Sequence, residues 1–376
     1  MPIHRRLFFR LAVPGACLFV TLSAVGPLDI YFIDVEGGQS TLVVTSTGES
    51  LLVDTGYAGN NGRDANRIAA AAKTAGLKQI DYLLLTHFHG DHAGGVPELS
   101  RLLPIRAFVD HDTIVPNDES TAPVFRAYAP IRSLGKHIVA KPGDRLPLKG
   151  VDVQIVSSDT HTIAKAVEGA GQPNPDCPST APAPAEAIEN PRSTGIRLRF
   201  GRFTFIDLGD LSGQPLYSLF CPSNLLGKAE LYLVPHHGGA DVVYPATFAV
   251  KPRVAILNNG EKKGGSRDAF ANLRKVSGLE DVWQLHKSLA EGAQNYPDDR
   301  VANLDATTGH WLKVSARDDG SFSVTNGRAS FTRLESSYRL ASRVSASPKR
   351  SSVIPIRSMM PRYRLHILRF SSPASR

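Results

Sequence analysis

The chain is short of the features that would assign it quickly. It has three cysteines in 376 residues. Cys17 lies in an N-terminal apolar stretch, so Cys177 and Cys221 are the only pair left to bridge the body. Long hydrophobic runs are scarce as well. The apolar, uncharged stretch from Leu11 to Gly26 is 16 residues, short for a spanning helix. No internal repeat is found, which excludes a solenoid or propeller. A surplus of charge is also missing from the body. The formal net charge is +8, but residues 333–376 hold ten Arg/Lys and one acidic residue, leaving 33 basic against 34 acidic residues elsewhere. The basic average is therefore no argument for nucleic-acid binding. At 42% hydrophobic and 7% aromatic the chain can build a real core, as one large domain or two ordinary ones.

The N-terminus reads as a targeting segment. Met1 to Arg6 is basic, the apolar stretch follows, and Ala24-Val25-Gly26 supplies small residues for cleavage. Arg5-Arg6-Leu7-Phe8-Phe9-Arg10 is similar to a twin-arginine export signal; the competing reading is an uncleaved anchor. Residues 1–26 are thus expected to be a signal peptide and the protein secreted or periplasmic, with no stable membrane span after cleavage. In an oxidising compartment Cys177 and Cys221 could pair.

The richest stretch is Thr86-His87-Phe88-His89-Gly90-Asp91-His92-Ala93-Gly94-Gly95. Three imidazoles and a carboxylate fall within six positions, and both are ligands that zinc prefers. Asp81 to Thr86 is a short apolar run that reads as a buried parallel strand, so the cluster begins where that strand ends. Open α/β sheets bind ligands there. His87 and His89 point the same way in extended chain, whereas Asp91 and His92 diverge, which suits two neighbouring metals better than one.

Around this motif the pattern is mixed α and β. Leu28–Asp34 and Ser40–Thr45 alternate as a hairpin around Gly37-Gly38, and Leu51–Val53 is a third strand. Asp64–Ala75 reads as a helix stopped by Gly76, and Ala93–Leu103 has a helical pattern that Pro97 limits to its first turn or two. Further strands are expected at 105–109, 151–156, 196–200, 203–206, 231–234 and 254–257. A helix is expected at 267–276, and a closing hairpin at 311–316 and 321–325. Residues 158–191, rich in Pro, Ala and Gly, read as a loop insertion. Residues 332–376 read as a basic, disordered tail, leaving a domain at 27–331.

Two later segments offer remote ligands, Asp207-Leu208-Gly209-Asp210 and Val234-Pro235-His236-His237-Gly238-Gly239, each after a strand. With Asp54-Thr55-Gly56 and the histidine motif, these occur in the order of the metallo-β-lactamase superfamily, which the chain resembles over roughly residues 28–260. Closest in style is the metallo-β-lactamase-like domain of ComEC-type competence proteins, through Ile33-Asp34-Val35-Glu36-Gly37 and His236-His237-Gly238-Gly239. The resemblance implies an αββα four-layer sandwich. It implies that His87 and His89 bind a first metal, that Asp91, His92 and His237 bind a second, and that Asp210 bridges them. Asp91 and Asp210 would be the catalytic carboxylates. His236 is the alternative to His237, with a hydrogen bond to a metal ligand as its other role, and Asp207 is the alternative to Asp210. Asp54 would orient the motif by hydrogen bonds rather than bind metal. Many relatives carry a further histidine before the strand leading to Gly-Asp. Here that region reads Glu189-Asn190-Pro191-Arg192-Ser193-Thr194, without one. The first ion would then take a weaker ligand, and His161, the nearest substitute, reads as a surface-loop residue.

Two divalent ions about 3.5–4 Å apart would share a hydroxide of lowered pKa. The expectation is an exported metal-dependent hydrolase acting on a phosphodiester, with two zinc ions, or manganese or iron, as cofactor. Its partner would be a small molecule or a nucleic acid as substrate. The alternatives are a β-lactamase or lactonase cutting C–N or C–O bonds, and a non-catalytic binding module on the same fold. Asn190, Ser193, Lys262, Lys263 and His286 could assist substrate binding, although Gly260-Glu261-Lys262-Lys263-Gly264 reads first as an exposed turn.

Overall fold

In a computed structural model the described residues are 26–335, apart from 117, 183–187, 243 and 330. All but the last residue of the expected signal peptide and all but the first residues of the expected tail lie outside them.

The chain first builds β1 (Leu28–Phe32), β2 (Thr41–Val44), β3 (Ser50–Val53), β4 (Ile80–Leu84), β5 (Ile105–Asp110) and β6 (Lys136–Val139). It then crosses to a second sheet through β7 (Arg145–Leu146), β8 (Asp152–Ser158), β9 (His161–Thr162), β10 (Gln172–Pro173), β11 (Gly195–Phe200), β12 (Phe203–Asp207), β13 (Ser223–Asn224), β14 (Leu231–Leu233), β15 (Val254–Leu257), β16 (Asp281–His286) and β17 (Val301–Asn303). It returns with β18 (Leu312–Ala316), β19 (Phe322–Asn326) and β20 (Phe331–Glu335). The first sheet runs β20-β19-β18-β1-β2-β3-β4-β5-β6, and the second β17-β16-β15-β14-β12-β11-β8-β7, with β9 on β8. β10 and β13 form a separate two-stranded ribbon.

Alternation along the strands sorts side chains between layers. In the first sheet Val43, Leu51 and Val53 face inward against Ile155, Leu198, Phe205 and Ile256 of the second. Their neighbours Leu42 and Leu52 face outward, under helices α1 (Arg63–Thr74), α2 (Gly90–Ala93), α3 (Val96–Leu102) and α4 (Ala122–Arg132). Leu216 and Phe220 of α5 (Gly213–Phe220) and Phe270 of α6 (Arg267–Leu273) cover the outer face of the second sheet. This is the αββα sandwich. It exists because both sheets are apolar on both faces.

Two expectations change. The strand β20 carries the folded body past residue 331, pairing from Phe331↔Asn326 to Glu335↔Phe322. The 158–191 segment is not one loop. It contains β9 and β10, and Cys177 is bonded to Cys221, tying it to the end of α5.

Candidate metal centre

The parallel strands decide where the site lies. β3 is parallel to β4, and β12 to β14 to β15, so their carboxyl ends open along one edge of the sandwich. Asp54 follows β3, the histidine motif follows β4, Asp210 follows β12, and His236-His237 follow β14. The two sheets meet at this edge, where the Thr194 N–H donates to the Thr86 carbonyl at 2.7 Å. Gly209 lets them close. Its φ is +56°, and a Cβ there would stand 2.7 Å from Thr86 Cβ.

Asp91, His92, Asp210 and His237 converge and are buried. His92 Nε2 lies 3.2 Å from both Asp91 Oδ2 and Asp210 Oδ2. His237 Nε2 lies 3.4 Å from Asp91 Oδ2 and 3.3 Å from Asp210 Oδ1. His92 Nε2, His237 Nε2 and Asp210 Oδ1 are nevertheless buried without a hydrogen-bond partner. Buried polar atoms are rarely left so. A donor set of two imidazoles and two carboxylates with free, convergent atoms fits a zinc-like ion.

His87 and His89 stand beside this cluster. His87 Nε2 is 2.9 Å from His89 Nδ1 and 4.0 Å from Asp210 Oδ2. His236 Nε2 approaches the same Asp210 oxygen at 3.6 Å, while its Nδ1 meets Asp241 at 3.0 Å. His236 and His237 both have left-handed backbone, at φ +48° and +54°. That conformation is uncommon for such residues and turns both rings toward Asp210.

A surrounding layer holds the cluster. Asp54, fully buried, accepts from the Thr86 N–H at 2.8 Å and the Thr86 hydroxyl at 2.7 Å, and pairs with His92 Nδ1 at 2.7 Å. This leaves His92 Nε2 to face the carboxylates. Glu189 does similar work for the first histidine pair, accepting from the Phe88 N–H at 3.0 Å while facing His111 Nε2 at 3.0 Å. Asp207 is apart from the cluster. It accepts from Gln39 Nε2 at 3.0 Å and the Gly209 N–H at 3.0 Å, and burial raises it to about 7.

Electrostatics in the metal-free protein follow from this packing. Burial and the neighbouring His92 push His87 well below the ordinary histidine range. Burial would do the same to His92, but Asp210, Asp91 and Asp54 outweigh it and raise His92 well above that range. Burial opposes ionisation of Asp91 and Asp210 too. The adjacent histidines reverse this, and Lys263 adds to the effect at Asp91, so both carboxyls lie well below their usual range.

The remaining expected residues divide. Asn190 Nδ2 is 3.4 Å from His236 Nε2, at the margin of the cluster. Ser193 is fully buried, with a hydroxyl that has no partner. His286 is corrected. It is fully buried with Nε2 2.7 Å from Asp34 Oδ1, so it braces the core and cannot touch substrate. His161 is exposed, its Nδ1 at 2.6 Å from the Asp159 carbonyl. Lys263 is corrected in the other direction: its ammonium contacts Asp91 rather than standing in an exposed turn. Tyr57, Glu189 and His111 reach the surroundings of the site through tertiary contacts that no spacing in the sequence signals. Two further carboxylate–histidine groups, Asp34–Glu36–His286 and Asp110–Asp112–His137, already hold Arg67 and Arg132.

Residues 33–171 match the sequence model of the metallo-beta-lactamase superfamily. An atrochrysone carboxyl ACP thioesterase of Cryptosporiopsis sp. is 39% identical over 67 residues, 18% of this chain and 20% of that protein. Ribonuclease Z of Alkaliphilus oremlandii is 34% identical over 76 residues, 20% of this chain and 22% of that protein. The chain thus spans about a fifth of the length of the curated relatives it matches. Among solved structures, a metal-dependent hydrolase of the beta-lactamase superfamily aligns at 10% identity and a TM-score of 0.40, covering 68% of this chain and 95% of that one. Residues 33–171 thus match that superfamily, and the described residues have its four-layer fold, with the candidate ligands at the strand ends.

Proposed function

We propose that the protein is a metal-dependent hydrolase. The observation that carries this reading is the convergence of Asp91, His92, Asp210 and His237, whose imidazole nitrogens and carboxylate oxygens lie buried within 3.2–3.4 Å of one another without aligned hydrogen bonds. These four would hold one ion. His87, His89 and Asp210 would hold the other, with His236 in place of the histidine absent near Asn190. Bound divalent ions would polarise the scissile group and make water nucleophilic near neutral pH. The chain's own contribution is to hold the ligands. Asp54 sets the face that His92 presents, Glu189 holds the backbone between His87 and His89, and Asp210 balances the imidazoles around it.

A phosphodiester is the first substrate class. The likeness to ribonuclease Z supports it, as does the way paired cations offset charge on phosphoryl oxygens. A thioester is the second, favoured by the likeness to a carboxyl ACP thioesterase. Export to an oxidising compartment, in the manner of ComEC-type proteins, is part of the same reading. The Cys177–Cys221 bridge supports it.

The test offers purified protein, loaded with zinc or manganese, bis-p-nitrophenyl phosphate, single-stranded DNA, an acyl thioester and a chromogenic cephalosporin. Phosphodiester cleavage that disappears in Asp210→Ala is expected. Thioester or cephalosporin turnover alone would transfer the reading to acyl chemistry. Bound metal with no turnover of any of the four would leave a binding module.

A further inference from the structure

Residues 260–265, between β15 and α6, form a wall of the candidate centre. The Gly260 N–H donates to the Lys263 carbonyl at 2.8 Å, closing a tight turn. The Gly265 N–H donates to the His237 carbonyl at 2.8 Å. Gly264 lies so close that a Cβ on it would stand 2.2 Å from that carbonyl, and its φ of +72° also calls for glycine. The turn therefore has little freedom relative to His237, and it presents Lys263 beside Asp91.

Lys263 meets two groups there. Its ammonium contacts Asp91 Oδ2 and lies 5.9 Å from the centre of the Tyr57 ring. Tyr57 is held in turn, because its N–H donates to Asp64 Oδ2 at 2.8 Å. Both side chains are only partly buried, and 38% of the Lys263 side chain is exposed. Lys263 and Tyr57 thus stand partly open to solvent at the edge of the cluster. Asp91 would be drawn to an ion once one is bound, and Lys263 would then lack its anion.

We propose that Lys263 and Tyr57 form an oxyanion-binding rim on the metal centre, so that the substrate carries a phosphate or carboxylate group beside the bond that is cut. The ammonium supplies charge and the phenol a directional donor. Together they match an anion bearing several acceptor oxygens. The inference rests on the hydrolase reading for the position of the cut bond.

The test titrates the zinc-loaded full chain with phenylphosphonate and with benzoate by calorimetry, and measures zinc affinity separately by chelator competition. Lys263→Gln should weaken anion binding by about tenfold or more, the loss expected for a hydrogen bond to a charged group. Lys263→Arg should restore most of it, Tyr57→Phe should weaken it less, and zinc affinity should not fall in Lys263→Gln, because the ammonium competes with the ion for Asp91. Preference for the phosphonate assigns a phosphate group; equal or better binding of benzoate assigns a carboxylate. Anion binding unchanged in Lys263→Gln overturns the proposal. So does a variant that loses zinc affinity but, once loaded, binds anions normally, because Lys263 would then only balance Asp91. A wild-type protein that hydrolyses nothing, yet binds anions through Lys263, overturns the hydrolase and not the rim.

Discussion

Asp54→Asn tests how the centre is held. The substitution keeps the shape of a fully buried side chain but exchanges one acceptor oxygen for an amide donor. Three donors converge on Asp54: the Thr86 N–H at 2.8 Å, the Thr86 hydroxyl at 2.7 Å and the His92 ring at 2.7 Å. The asparagine oxygen can serve the side that faces Thr86 Oγ1 and His92. Its NH2 then confronts the Thr86 N–H, and His92 loses its counter-charge. Breaking a buried pair of this kind costs about 3–5 kcal/mol, and retention of shape places the variant near 3 kcal/mol. Loss of a ligand-orienting partner lowers metal affinity by about 10–100-fold. Urea unfolding of the metal-free protein reads the first quantity and chelator competition for zinc the second. Unfolding at lower urea with wild-type zinc affinity would refute the reasoning, since Asp54 would then brace β3 against the motif without orienting His92.

Further expectations concern the ligands, proton linkage and the disulfide. His236→Ala should reduce bound zinc by one equivalent while leaving the Asp91–His92–Asp210–His237 set loaded, read by metal analysis after dialysis; unchanged stoichiometry would make His236 a partner of Asp241 only. Zinc uptake should release protons, because the raised His92 must give up its proton to bind. Affinity should therefore climb with pH beyond the ordinary histidine range, and calorimetry in buffers of different ionisation enthalpy measures the release. In metal-free protein the depressed Asp91 and Asp210 contribute stability above the unfolded carboxyl range near about 4, lost as pH falls below it. The raised His92 contributes stability below about 6.5, lost as pH rises through its folded value. Urea midpoints across pH should thus fall on both sides. Cys177 and Cys221 are 44 residues apart, and closing such a loop stabilises by about 4 kcal/mol in the chain-entropy view. A Cys177→Ser, Cys221→Ser double variant with an unchanged urea midpoint would contradict that.

The legible parts of the fold were those whose pattern is local. β4 and β5 read as strands because parallel strands buried on both faces are unbroken apolar runs. α1 read as a helix because its alanines and Ile68 recur at helical spacing over a buried face. The helix expected over 93–103 is α2 followed by α3, with Pro97 in the first turn of α3, where a missing N–H costs little. α4 has no clean local signal, because it holds two prolines, Pro123 in its first turn and Pro130 near its end. β20 is a short edge strand stabilised by β19 rather than by any pattern of its own.

By itself the sequence determined which atoms could ligate a metal and that they would follow strand ends, because imidazoles and carboxylates packed into a few positions have few other uses. Tertiary structure alone decided the membership of the centre. It drew His237 and Asp210 to His92, removed His286 into the core, set Glu189 under Phe88, and brought Lys263 to Asp91 from 172 residues away. Spacing along a chain constrains only neighbours. Contacts of that separation exist because two sheets, each apolar on both faces, must bury the faces they share, and so align their strand ends along one edge.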